Sequence, residues 1–275
     1  MHKKNKNDTI RKDEVEIMID ITKAKEAFKE YVKNYNPEDK KIALKIAHIE
    51  RTSHIARKIA ENLNLDKEDI ELAELIGLLH DIGRFEQIKQ YHTFSDRDSI
   101  NHGEFGVEIL FEEGKIRDFI TTPEYDEIIR KAIINHNRSK IEEGLTKREL
   151  LHAKIVRDAD KVDILYILTF EEKETLYDKK DISNEKITNV IYKEFMAANL
   201  VDYKKMQSHV DKIVAHFAYV YDINFKFSLK YIYDNQYLKK YYERHTFSDE
   251  ETMKRYNLVY SRTTEFVKEN IGDNE

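Results

Sequence analysis

Turn formers are scarce in this sequence: its 275 residues hold seven Gly and two Pro, where average usage would place about thirty. Sandwiches, barrels and propellers need frequent turns, so folds of that kind are excluded. Nucleotide binders built on glycine loops are excluded too, because neither GxGxxG nor GxxxxGKS/T occurs. Apolar residues instead recur at helical spacing, and the expected class is all-α, a helical bundle.

Helical spacing begins with Ile21, Ala24, Phe28 and Val32. Asn36-Pro37 predicts a helix start, with Asn36 as cap and Pro37 in the first turn, running to about Leu63. Asp66 caps the next helix. Its end, Leu72 to Leu79, is apolar nearly all round and predicts a buried central helix. Gly83 is expected to end that region, with a loop over 85–101. Further helices are expected over 102–113, from Thr122-Pro123 to His136, and from Thr146 to Leu168. Residues 1–18 show no apolar period and are expected to be flexible. Residues 19–175 read as the main domain and 176–275, rich in Tyr and Lys, as a helical extension packed on it. The extension should hold helices near 184–198, 202–221, 225–243 and 248–270. The pentamer HTFSD, at His92 and again at His245, has no surrounding period and reads as coincidence.

A formal net charge of −6 leaves no overall basic face and argues against a nucleic-acid partner. No apolar run approaches the length of a membrane span, and the basic N-terminus lacks the apolar stretch of a secretory leader. The absence of Cys removes disulfides, thiolate metal sites and Cys nucleophiles, and fits a cytoplasmic location. Any chemistry must come from histidines and carboxylates.

His80-Asp81 closes the most apolar helix, in Leu78-Leu79-His80-Asp81-Ile82-Gly83. A His and a carboxylate buried there are costly unless paired with each other or bound to a metal. His48, His102, His136 and Asp160 also take plausible inward positions on helices. Four imidazoles and two carboxylates from five helices form a ligand set that suits Mn, Fe, Co, Ni or Zn better than Ca, of the kind helical bundles build from facing helices. Asp158 and Asp163 flank Asp160 but are expected to point elsewhere, Asp158 toward Lys154. His209 and His216 share a helix face and read as packing residues.

In order, spacing and flanks, His48, His80-Asp81 and Asp160 resemble the H…HD…D signature of the HD superfamily of metal-dependent phosphohydrolases. His48-x-x-Arg51, Leu78-Leu79-His80-Asp81-Ile82-Gly83-Arg84 and Ala159-Asp160-Lys161 are similar to its three motif segments, and the resemblance covers roughly residues 40–170. It makes 19–175 an HD phosphohydrolase domain. His102-Gly103-Glu104 and His136 resemble the extra ligands of binuclear members. The resemblance then implies two divalent ions, with Asp81 bridging, His48, His80 and Asp160 on one ion, and His102 and His136 on the other. It implies hydrolysis of a phosphoester or phosphoanhydride in a small nucleotide-type substrate. Asp81, Arg84 and Lys161 are the catalytic candidates, and Arg51, Arg84 and Lys161 the substrate-binding ones. A mixed-valent di-iron oxygenase of the same superfamily and a non-catalytic nucleotide sensor are the alternatives. The C-terminal helices are a candidate homodimer surface.

Overall fold

The computed structural model describes residues 19–177, 179, 181–198 and 200–272; the expectation for residues 1–18 lies outside them. No strand occurs among the described residues, and the chain is all-α there. In order the first helices are α1 (Ile21–Val32), α2 (Lys40–Asn62), α3 (Lys67–Leu79), α4 (Gly83–Tyr91) and α5 (His102–Val107), the last continued by a π turn at Glu108–Glu112. Then come α6 (Ile116–Phe119), α7 (Asp126–His136) and α8 (Lys147–Phe170). The remaining helices are α9 (Lys173–Tyr177), α10 (Asn189–Met196), α11 (His209–Phe217), α12 (Lys226–Asp234), α13 (Tyr237–Glu243) and α14 (Glu250–Ile271). Short 3-10 turns occupy Tyr203–Lys205 and Ala218–Asp222.

Caps explain most boundaries. Thr146 and Glu149 form a reciprocal capping box that starts α8, and Asp66 caps α3. The start of α2 differs from expectation. Asn36 accepts from the Glu38 amide at 3.0 Å, which closes a turn around Pro37, and Asp39 caps the helix instead. Likewise, α7 starts at Asp126 after a turn, not at Pro123. The stretch expected as a loop after Gly83 begins with α4, whose Phe85, Gln87 and Ile88 are buried. Gly83 is therefore not a helix stop. It opens α4 because the backbone of α5 passes against it: an added Cβ would lie 2.5 Å from His102 O and 2.6 Å from Gly106 N.

The helices α2 and α8 face two ways. On one side Ile49 and Val156 join a cluster with Phe28, Leu75, Phe85, Tyr125 and Ile129. On the other, Ile55, Ile59, Ala159 and Leu165 share a core with Phe217, Ile232, Tyr241 and Tyr256 from the C-terminal helices. Of the helices expected after residue 200, 248–270 is matched by α14, whereas the two before it are broken up. The run over 202–221 splits into two 3-10 turns flanking α11, and Gln236, at φ +57°, breaks 225–243 into α12 and α13.

Two residues of α8 bind the C-terminal segment to it. Arg157, fully buried, donates to Asn135 O and Arg138 O at 2.6 Å each, and to Asp222 Oδ2 at 2.6 Å. It thus satisfies carbonyls that the end of α7 leaves without helical partners. Asp158 does not pair with Lys154. It is buried and accepts from the amides of Asn224 and Phe225, each at 2.9 Å, and from Asn224 Nδ2 at 3.0 Å.

Two predictions follow from this packing. The neighbours of Gly83 are backbone atoms that cannot rotate away, so Gly83→Ala should destabilise the fold by about 1–3 kcal/mol in urea denaturation. Gly106→Ala, where a Cβ would meet nothing nearer than 3.4 Å, should cost little. The second concerns His216 and His245, which flank a buried tyrosine pair: His216 Nδ1 lies 3.0 Å from Tyr241 Oη, and His245 Nε2 lies 3.1 Å from Tyr177 Oη. Burial, with Lys212 and His245 nearby, lowers His216 to about 3; burial, with Lys173 and Arg244 nearby, lowers His245 to about 4. Such imidazoles take up protons on unfolding. The stability they contribute is complete above about 6.5 and is lost as pH falls toward the folded values. The drop in Tm between pH 7.5 and pH 5 should therefore be smaller in a His216→Gln/His245→Gln variant; an equal drop would contradict this account.

Candidate metal centre

The centre is assembled by close helix contacts. Gly77 lets α3 lie against α2, where a Cβ would be 2.8 Å from Ser53 Cα, and this brings His80, at the C-cap of α3, to His48 on α2. The contact at Gly83 brings the start of α5, and with it His102, beneath the turn that carries Asp81. His136 is the last residue of α7, and Asp160 lies midway along α8.

All six expected ligands converge. His48 Nε2 lies 3.3 Å from His80 Nε2, 3.1 Å from Asp160 Oδ1 and 3.5 Å from Asp81 Oδ2. His80 Nε2 is 3.6 Å from both Asp160 Oδ1 and Asp81 Oδ2. On the other side, His102 Nε2 and His136 Nε2 are 2.9 Å apart and lie 3.3 and 3.6 Å from Asp81 Oδ1. Asp81 therefore turns one oxygen to each histidine pair.

The protons of these imidazoles are accounted for on their outer edges. His80 Nδ1 donates to Gly77 O at 2.8 Å and His136 Nδ1 to Ile133 O at 2.6 Å; both carbonyls can only accept. His48 Nδ1 meets Asp163 Oδ2 at 2.7 Å, and His102 Nδ1 meets Asp96 Oδ2 at 2.6 Å. In the neutral rings every Nε2 is then a lone pair aimed inward. Asp81 Oδ1, buried, has no hydrogen-bond donor. Lone pairs and carboxylate oxygens this close repel unless a cation lies between them, and Lys45, 2.7 Å from Asp81 Oδ2, pairs only that oxygen. The donor set fits a divalent metal, and two groups, His48 with His80 and Asp160, and His80 with Asp81 and His136, could each hold an ion. Outer-edge hydrogen bonds of this kind fix the tautomer that a metal needs.

Protonation preferences agree for His80 and His102, while His48 favours its charged form. Burial lowers His80, and burial with Arg84 lowers His102 to about 3, so both rings are neutral. Burial and Lys45 oppose charge on His48, but Asp160, Asp163 and Asp81 overcome them and raise it to about 10. Burial pushes Asp81 and Asp160 up, yet Lys45 and the imidazoles hold Asp81, and His48 and His80 hold Asp160, well below the usual carboxylate range. These carboxylates call for positive charge, which a metal ion supplies as well as a proton does.

The cationic candidates are placed differently. Arg84 donates to Gln87, to Phe94 O at 2.6 Å and to Asp96 at 2.8 Å, while its Nε faces Asp81 Oδ1 at 3.6 Å. Arg51 turns to Asp163, at 2.5 and 3.0 Å, and its guanidinium lies 4.6 Å from the Tyr166 ring centroid. Lys161 turns to Asp222 at 2.8 Å. Three contributors escaped the sequence. Asp163 lies three residues after Asp160, on a helix face expected to point away. Asp96 lies in a stretch that spacing could not place. Lys45, whose Nζ is 2.7 Å from Asp81 Oδ2, carried one readable signal: it is one turn before His48 on the same helix. His209 and His216 bind Glu185 and Tyr241, away from the centre.

The family model of the HD domain matches residues 46–165. No curated protein and no solved structure matches the chain. No helix among the described residues is long and apolar enough to cross a membrane.

The hydrogen bond from His48 to Asp163 makes a checkable claim about metal affinity. Asp163→Asn keeps the shape but removes the charge behind His48, and should weaken Mn²⁺ binding about 10–100-fold with circular dichroism unchanged. Calorimetric titration of metal into the metal-free protein measures it. Unchanged affinity would mean that the bond only supports packing.

Proposed function

We propose, from the premise that residues 46–165 belong to the HD domain family, that this protein is a metal-dependent phosphohydrolase acting on a small phosphorylated, nucleotide-type substrate. HD domains form a superfamily of metal-dependent hydrolases. The observation that carries the reading is Asp81, with one oxygen toward His48 and His80 and the other toward His102 and His136. In this reading His48, His80 and Asp160 hold one divalent ion, His102 and His136 hold a second, and Asp81 is shared. The metal is one of Mn, Fe, Co, Ni or Zn.

Divalent ions at such a centre polarise phosphoryl oxygens and acidify water toward neutral pH. The chain's own residues supply the rest. The outer-edge hydrogen bonds on the four imidazoles keep the ligands preorganised, so little rearrangement is needed as charge develops. Lys45 and Arg84 both reach toward Asp81 and stand where a phosphoryl group would bring negative charge. Lys161 follows Asp160 on α8 but is held by Asp222. Such a lining favours an anionic phosphorylated substrate over an oxygenase reaction on a neutral one. Hydrolysis breaks the P–O bond to the leaving group, and water supplies the new oxygen on phosphorus.

Product chromatography tests this directly. Protein loaded with Mn²⁺ is incubated with nucleoside mono-, di- and triphosphates, dinucleoside polyphosphates and cyclic nucleotides, beside an Asp81→Ala variant. Turnover of at least one substrate class, abolished in the variant, is expected. A folded, metal-loaded protein that turns over none of them would overturn the proposal, and iron content with oxygen uptake would then point to the oxygenase alternative.

A further inference from the structure

The six candidate ligands are not equally sealed. Five side chains are 6% exposed or less, whereas Asp160 is 14% exposed, so the centre opens at its corner. Two tyrosines from beyond the matched segment lie within electrostatic reach of Asp160. Tyr219 lies in the turn Ala218–Asp222, with its ring centroid 6.0 Å from Lys161 Nζ. Its hydroxyl is hydrogen-bonded to that of Tyr203, from the turn Tyr203–Lys205. The charge of Asp160 acts on both phenols, and Arg84 and Asp222 act on Tyr219 as well.

This wall is held to the ligand-bearing helices. Asp222, three residues after Tyr219, accepts from Arg157 and Lys161 of α8, and the next two amides beyond Ile223 donate to Asp158. Tyr219 therefore stands on a segment anchored on both sides of Asp160 in sequence.

The hydroxyl pair has a donor to spare. Two phenols carry two O–H groups and four lone pairs, and their mutual bond uses one of each. No acceptor for the second O–H occurs among the described residues. The ring of Tyr219 is engaged, with Lys161 near it and His216 at 5.5 Å in edge contact, so the hydroxyl is what the residue offers. Burial pushes Tyr219 up to about 12, which keeps it a donor.

We propose that Tyr219, backed by Tyr203, is a substrate-contact residue whose hydroxyl pair donates a hydrogen bond to a phosphoryl oxygen at the Asp160 corner. The proposal rests on the phosphohydrolase reading above. It makes the C-terminal helices part of the substrate site, with Asp222 setting the position of Lys161 beside the same oxygen.

The test uses the full chain loaded with Mn²⁺, with inorganic phosphate as probe in calorimetric titrations of wild type, Tyr219→Phe and Tyr203→Phe. Tyr219→Phe should raise the Kd for phosphate five- to thirty-fold with Tm and bound Mn²⁺ unchanged. Tyr203→Phe should have a smaller effect, because Tyr219 keeps its own O–H. Equal phosphate affinity in wild type and Tyr219→Phe overturns the Tyr219 assignment alone. A wild type that does not bind phosphate overturns the phosphohydrolase reading on which it rests. A readout free of substitution guards against a misfolded variant: in protein labelled with ¹³C at tyrosine Cζ and loaded with Zn²⁺, phosphate should shift the Tyr219 resonance, and an unmoved resonance counts against the contact.

Discussion

The structure depends on a carboxylate held away from water among nitrogen lone pairs. Asp81 has an oxygen with no donor, and the four imidazoles around the centre engage Nδ1 on their outer edges and turn Nε2 inward. Such a cluster is unstable by itself, so the surroundings must hold it. The all-round apolar end of α3 supplies the burial. Gly77 and Gly83 supply the close backbone contacts that align α2 with α3 and α4 with α5. A bound cation would resolve the repulsion, and its binding and the rigidity of the fold would then reinforce each other.

The helix α8 makes this arrangement larger than the matched segment. Asp160 points to the centre and Asp163 holds His48, while Arg157, Asp158 and Lys161 point to residues 222–225. Over seven residues the helix alternates between candidate ligand, support of another candidate ligand and anchorage of the C-terminal chain. Arg157 also satisfies the carbonyls at the end of α7, directly beside His136. Moving the C-terminal segment would thus disturb a ligand helix, and the shared core of Ile59, Ala159 and Leu165 with Phe217, Tyr241 and Tyr256 acts in the same direction.

The candidate ligands were legible because they lie where helical pattern and chemistry conflict. His80 and Asp81 end an apolar helix, and His136 follows the apolar run Ala132-Ile133-Ile134 at the end of α7, so their polarity needs a reason. The outer layer was not legible, since its residues do what surface residues commonly do. Asp163 reads as one of several charges on a long helix, and Asp96 sits in a polar stretch whose role comes from the approach of His102 and Arg84. Gly83 was misread because a glycine after an apolar helix signals equally well a stop or a close contact, and only the neighbouring backbone decides. The C-terminal breaks at Gln236 and around α11 left no Gly or Pro to mark them.

The two halves of the chain carry different kinds of information. Holding ions demands fixed donor atoms at fixed positions, which short motifs on packed helices provide. Selecting a substrate demands only a wall of suitable polarity beside the ions, which any adjoining segment can provide without a motif. At the Asp160 corner a neutral donor is the fitting choice. Lys45 and Arg84 already bring positive charge to Asp81, and Lys161 is held by Asp222. A further cation would repel them and compete for Asp160, whereas a phenol kept protonated by burial donates a hydrogen bond with no added charge. The tyrosine-rich composition of the C-terminal half is explained mainly by rings that fill its core, Tyr241 and Tyr256 among them.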